Sequence, residues 1–326
     1  MRTTAPDLVV DNTILSGVAK CHTYAYLRFC LGLAPRTESL ALQAGHAIHS
    51  GMEHWMTHRQ RNRAVRIMAA EYESAVEHYL KANDEDVLGG SDARFAPERV
   101  EAIFHQHLDQ LDEHFPFRVV EGAVEAPIQA PLAIGVLYVA RVDAMVRKSD
   151  AGGKWSMDHK TTKRITEWWK EKQKTSSQWS GQVWIGRQAS AHQVEGVVLH
   201  VIELPDPHTS SKTCREHGVP YTECSVRHAS YDYVYVTRSE VELAAWHLSA
   251  LRLVEQYQML LALAEREGAP GVSEVSMQGR FNDGCTFCDM KEWCRLGRNT
   301  NKNALRAAFR VEPWEPLAVS RGASDG

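Results

Sequence analysis

LAIGVLYVARVDAMV (residues 132–146), SDAGG (149–153) and WSMDHK (155–160) read as a strand, a hairpin turn and a second strand. The outer two stretches are rich in β-branched and aromatic residues, and the glycine pair between them lets the chain reverse. Alternation along the second strand puts Asp158 and Lys160 on one face and turns His159 to the other. Asp143, on the neighbouring strand, can converge on the same point. Two carboxylates so placed bind hard divalent cations such as Mg2+ or Mn2+ through oxygen. A lysine beside them polarises or deprotonates water and offsets phosphate charge. Together these are the parts of metal-assisted phosphodiester hydrolysis. D-x-K alone is a common pattern, and its plainer reading is a surface lysine with two aspartates flanking a turn.

Outward from this hairpin, residues 117–124 read as a preceding strand, 165–191 as a helix and 194–201 as an apolar strand. Upstream, helical spacing predicts one helix over 16–31 and another from near residue 40 through 55. Residues 63–114 are mostly helical, broken at 84–92 by Gly89 and Gly90. Downstream come a polar insertion, a strand at 231–236, a long amphipathic helix over 240–268 and a tail of disordered composition after Pro313. The fold class is therefore α/β (α+β): a mixed central sheet flanked by helices. Five regions follow: a helical part (1–116), a core (117–203), the insertion (204–230), a C-terminal strand, helix and cysteine segment (231–312), and the tail (313–326).

The 326 residues are 44% hydrophobic and 24% charged, the composition of a globular protein with a real core. No apolar run approaches the roughly 18 residues of a membrane span, and the N-terminus lacks a signal peptide's apolar stretch. The expected location is the cytoplasm, with no membrane partner. The net charge of −4 argues against holding nucleic acid by overall charge. Three local basic stretches remain. They are Arg59, Arg61, Arg63 and Arg66; Lys160, Lys163, Arg164, Lys170, Lys172 and Lys174; and Arg295, Arg298, Lys302, Arg306 and Arg310. Each is a solvated face on the plain reading and a DNA-backbone contact on the functional one.

Seven cysteines in a reducing compartment read as metal ligands or buried thiols. Cys285, Cys288 and Cys294 form C-x2-C-x5-C, and Cys21 is a candidate fourth ligand that would tie the start of the fold to its end. Four thiolates accept either a [4Fe–4S] cluster or structural zinc. Cys30 is left to pack as a small apolar residue. In the insertion, Cys214-x2-His217 and Cys224-x3-His228 also have zinc-ligand spacing.

Two more residues complete the pattern. His49 follows Gly45 by four on a helix, with Glu53 one turn on, and Gln178 lies early in the helix after the D-x-K strand. With Asp143 and Asp158-His-Lys160, this set resembles the PD-(D/E)XK nuclease superfamily, in its RecB-like branch. The cysteines make it similar to that branch's iron–sulfur exonucleases (AddB-type helicase–nucleases, CRISPR adaptation exonucleases and phage exonucleases). The resemblance covers roughly residues 12–300 and implies a restriction-endonuclease-like core with an iron–sulfur-stapled C-terminal segment. It implies that His49, Asp143, Asp158 and the backbone carbonyl of His159 ligate Mg2+ or Mn2+, that Lys160 is the catalytic lysine, and that Gln178 assists. It implies a [4Fe–4S] cluster on Cys21, Cys285, Cys288 and Cys294. The chain departs from the family pattern at Gln182, where a tyrosine is expected. The expected function is a metal-dependent exonuclease on single-stranded or frayed DNA ends, with helicase, recombination or CRISPR adaptation proteins as partners. The alternative is a non-catalytic DNA-end-binding subunit, which would have no need of all four of His49, Asp143, Asp158 and Lys160.

Overall fold

The computed structural model describes residues 7–36, 38–85, 87–88, 90–148, 153–189, 194–207, 213–214, 217–220, 224, 229–267, 285–286, 288–291, 294 and 309–316. A six-stranded mixed sheet forms its centre. The long hairpin of β3 (Phe117–Ala133) and β4 (Val136–Lys148) is antiparallel, and β5 (Lys154–Thr162) runs antiparallel to β4. β6 (Val194–Glu203) pairs parallel with β5, and β7 (Tyr231–Thr237) closes that side antiparallel to β6. β1 (Leu8–Val10), from the N-terminal region, pairs parallel with β4 over Val136–Tyr138, beyond the point where β5 leaves it.

Each face of the sheet carries its own apolar cluster. One packs against α1 (Asn12–Lys20), α2 (His22–Ala25), α7 (Ser177–Gln188) and α8 (Glu240–Glu267), the other against α3 (Leu40–His58), α4 (Arg61–Asn83) and α5 (Pro97–Glu113). Caps place several of these helices. The Asp11 carboxylate accepts the Ile14 N–H at 2.8 Å, and the Ser39 hydroxyl takes that of Leu42 at 3.3 Å. None of the helices among the described residues is long and apolar enough to cross a membrane.

Four local expectations are corrected. The helix expected over 16–31 breaks at Cys21, whose backbone is extended (φ −167°, ψ 121°), and ends as a π-helical turn, Tyr26–Cys30. The strand expected over 132–146 is two strands, turning at Ile134–Gly135. β3 continues through Pro127 and Pro131, which it tolerates because it pairs with β4 alone. The helix expected over 165–191 divides into α6 (Glu167–Lys174) and α7 at Thr175–Ser176, where Arg238 donates to the Lys174 and Ser176 carbonyls. Residues 313–316, expected within a disordered tail, are held. Trp314 donates to Asp11 at 2.9 Å and packs edge-on against Phe29, behind a short strand β8 (Phe309–Val311) paired with β2 (Leu33–Pro35).

Candidate active site

The site forms where β4 and β5 part. Their ladder stops at Ala144 and Met157, so the next N–H, that of His159, has no strand partner. The Asp143 carboxylate takes it at 2.6 Å, as a buried donor requires. Alternation along β5 then divides its side chains. Trp155 and Met157 enter the cluster beneath α3, α4 and α5. On the α7 side, Ser156 accepts from Gln182 at 2.7 Å, and Lys160 lies over the Trp179 ring at 5.2 Å. Lys160 also contacts the Asp158 carboxylate directly. From α3, His49 reaches the same point. Its Nε2–H donates to the His159 carbonyl at 2.7 Å and its Nδ1 lies 3.3 Å from Asp143 Oδ2. The structure thus brings together His49, Asp143, Asp158, the His159 carbonyl and Lys160.

Charges in this cluster hold one another. Burial opposes a charged His49, but the charge and hydrogen bond of Asp143 outweigh it and push the imidazole up to about 9. Burial likewise raises the Asp143 carboxyl, yet His49, with smaller help from His159 and Lys160, holds it well below the usual carboxylate range. Asp158 moves up, because burial and its neighbour Asp143 outweigh Lys160. Burial disfavours the Lys160 ammonium, but Asp158 and Asp143 together raise its pKa, so it stays protonated.

A hard divalent cation suits this donor set. Two carboxylates and a backbone carbonyl supply oxygen, and His49 supplies one nitrogen once its proton leaves. Asp158 Oδ1, buried, makes no well-formed hydrogen bond despite its contact with Lys160. The positive charge that the carboxylates require is supplied by two protonated side chains, His49 and Lys160.

Outside this cluster lies an open cleft of about 1130 Å³, lined by Asp158, Gln178, Gln182, His46 and Arg141 among others. Gln178 therefore faces the cleft, in the first turn of α7. Gln182, standing where the family pattern has tyrosine, is buried on Ser156 and braces β5. Glu125 was not singled out from sequence. It lies between Val124, opposite Ala144, and Ala126, opposite Val142, and so stands across from Asp143. Burial, Asp143 and Glu53 push its carboxyl up to about 7. It follows a bulge in β3 and has φ 50°, so alternation counted from sequence could not place it. The strand read from sequence stops at Val124, one residue short of it.

The description matching residues 13–295 of this chain is that of the PD-(D/E)XK nuclease superfamily. The chain belongs to this superfamily. No curated protein matches it. Among solved structures, a "Putative exonuclease" from Eubacterium rectale is 12% identical, with a TM-score of 0.38 and coverage of 88% of each chain. A protein designated SSO0001 is 14% identical, with a TM-score of 0.32, covering 88% of this chain and 96% of its own.

Several cations of the basic stretches flanking this PD-(D/E)XK core are ion-paired, and Arg59 stacks on Trp55. Arg61 contacts Asp109, Lys163 contacts Asp206, Lys170 bridges Glu167 and Asp232, and Lys174 meets Glu171. The stretch from Arg295 through Arg306 lies outside the described residues. Of the cysteines, Cys288 and Cys294 pack against the α8-side cluster, and Cys21 is close enough to Cys288 to contribute to its raised thiol pKa, which burial mainly causes. Among the described residues, only Cys214, His217 and Cys224 bring three metal-ligating atoms within 4.8 Å of one another. Cys30, expected to pack as an apolar residue, does so, and burial pushes its thiol up to about 12.

Proposed function

We propose that this nuclease is a metal-dependent deoxyribonuclease, and an exonuclease acting on single-stranded or frayed DNA ends. One observation carries the reading: His49, Asp143, Asp158, the His159 carbonyl and Lys160 meet beside an open cleft. His49, Asp143, Asp158 and the His159 carbonyl would hold Mg2+ or Mn2+, which supplies Lewis acidity toward the phosphate and a nucleophilic water. Lys160, beside Asp158 and over the Trp179 ring, offsets charge on the attacked phosphate and polarises or deprotonates the attacking water. Trp179 beneath it and Asp158 beside it fix the ammonium's direction. Asp143 orients His49 and, through the His159 N–H, the carbonyl on the next peptide unit. Gln178, at the cleft wall, positions a DNA phosphate or water. Cys21, Cys285, Cys288 and Cys294 are assigned to a [4Fe–4S] cluster that staples α1 and α2 to the C-terminal segment. A cubane spreads its thiolates more widely than a single ion does.

The test is degradation of end-labelled single-stranded DNA with Mn2+ by wild type, Asp158→Ala and Lys160→Ala, each shown to be folded by circular dichroism. Both variants should lose about a hundredfold or more of the rate, as removal of one transition-state donor does. Internally labelled circular DNA should resist. Equal rates for the three proteins, or rapid cutting of the circle, would refute the nuclease site or the exonuclease reading respectively.

A further inference from the structure

The insertion between β6 and β7 contains a cluster that the nuclease site does not use. Its start is anchored at the edge of the sheet that carries Lys160. The Leu204 N–H donates to the Thr162 carbonyl at 2.7 Å, Arg99 donates to the Pro205 carbonyl at 2.9 Å, and Asp206 contacts Lys163. Beyond it, the chain folds on itself at Cys214. The Cys214 N–H donates to the Val219 carbonyl and the Gly218 N–H to the Cys214 carbonyl, both at 2.8 Å, while Thr213 bridges Pro220. This tight reversal needs the left-handed backbone of Gly218, φ 68°. It presents Cys214 and His217 from one knuckle, and Cys224 arrives with its N–H on the Pro220 carbonyl at 2.9 Å.

We propose that Cys214, His217 and Cys224 form a structural zinc site. The three ligand atoms lie within 4.8 Å of one another, with His217 Nδ1 at 3.8 Å from Cys214 Sγ and 3.2 Å from Cys224 Sγ. A tetrahedral ion with Zn–S of about 2.3 Å and Zn–N of about 2.0–2.1 Å sets its nitrogen and sulfur ligands about 3.6 Å apart, between those two distances. Both cysteines are buried, at 3% and 0% exposure, yet neither belongs to either apolar cluster of the fold. Buried thiols outside both apolar clusters suit metal ligands in a segment of polar composition. Two thiolates and an imidazole select a borderline-soft ion over Mg2+. His228, the fourth residue of the sequence pattern, lies outside the described residues. The ion would close the β6–β7 connection, whose start is tied to Thr162 and Lys163.

Zinc and iron are measured per chain in full-length protein grown with zinc and exchanged into zinc-free, Mg2+-containing buffer. The proteins are wild type, Cys214→Ser, Cys224→Ser, His217→Cys and Cys285→Ser. Wild type, His217→Cys and Cys285→Ser should each retain one zinc ion that Cys214→Ser and Cys224→Ser lack. Should the serine variants fail to fold, alkylation of wild type is read by peptide mass spectrometry. Cys214 and Cys224 should be protected until a zinc chelator is added. Zinc content unchanged by Cys214→Ser and Cys224→Ser, or equal alkylation with and without chelator, would overturn the proposal.

Discussion

Acid should unfold this protein partly through one histidine stack, and His107→Phe should remove a measurable share of that sensitivity. His107 on α5 packs its ring 4.7 Å from that of His200 and 5.1 Å from that of Tyr231, and His200 Nδ1 meets His159 Nδ1 at 2.8 Å. His107 is only 3% exposed, and neither of its ring nitrogens has a hydrogen-bond partner among the described residues. Burial first, and His159 second, push its pKa down from 6.5 to about 3. Above pH 6.5 neither the folded nor the unfolded chain protonates this ring. Below it only the unfolded chain does, so stability falls by up to about 1.4 kcal/mol per pH unit until the folded ring titrates near 3. Near pH 5 the loss is RT ln(1 + 10^1.5), about 2 kcal/mol, against about 0.2 kcal/mol near pH 7. His159, pushed down to about 4, and His200, also lowered, act in the same direction. Glu125 and His49, both raised, act in the opposite one, so the comparison must be between wild type and variant rather than across pH alone. Urea unfolding near pH 7 and near pH 5 should show wild type losing about 2 kcal/mol more than His107→Phe over that interval. At neutral pH the variant should be at least as stable, since it removes two unpaired buried nitrogens. An identical pH dependence for the two proteins would show that His107 is not held neutral in the fold.

Two glycines of α3 should respond oppositely to alanine. A Cβ on Gly51 would lie 2.6 Å from the fully buried Phe104 ring and 3.0 Å from Met68 Cβ, so Gly51→Ala should cost about 1–3 kcal/mol in urea unfolding. A Cβ on Gly45 would meet only Thr161 Oγ1, at 3.5 Å, so Gly45→Ala should be neutral or gain up to about 1 kcal/mol; a clear loss there would contradict the packing of α3. If the oxygen cluster holds Mn2+, the ion at a hundredfold excess over its Kd should add about 2.7 kcal/mol to wild-type stability. Asp158→Asn should show little of this gain, and an unchanged thermal shift would remove Asp158 from the ligand set.

The parts of the site that sequence revealed are those joined by short-range geometry. Asp158 and Lys160 share a face because strand alternation has a period of two, and that relation holds whatever surrounds β5. His49 was visible as a helical residue four after Gly45. Glu125 was not, because a bulge and a positive φ shift the count along β3, and its place opposite Asp143 depends on register. The break at Cys21 was hidden too, since residues 16–31 keep helical spacing across it. Trp314 reads as tail composition; only its contacts with Asp11 and Phe29 make it part of the fold.

By itself, the sequence determined strands β5, β6 and β7, most helices, the D-x-K pair and the two groups of metal-ligating spacings, because propensity, periodicity and turn chemistry act over a few residues. Tertiary structure alone decided which charges meet. His49 lies 94 residues before Asp143, and only the packing of α3 at the point where β4 and β5 separate sets them 3.3 Å apart. It also decided their protonation, since pKa values depend on burial and on neighbours that no local pattern encodes. The same holds for the histidine stack of α5, β5 and β6, drawn from three distant segments and kept neutral by the surrounding core.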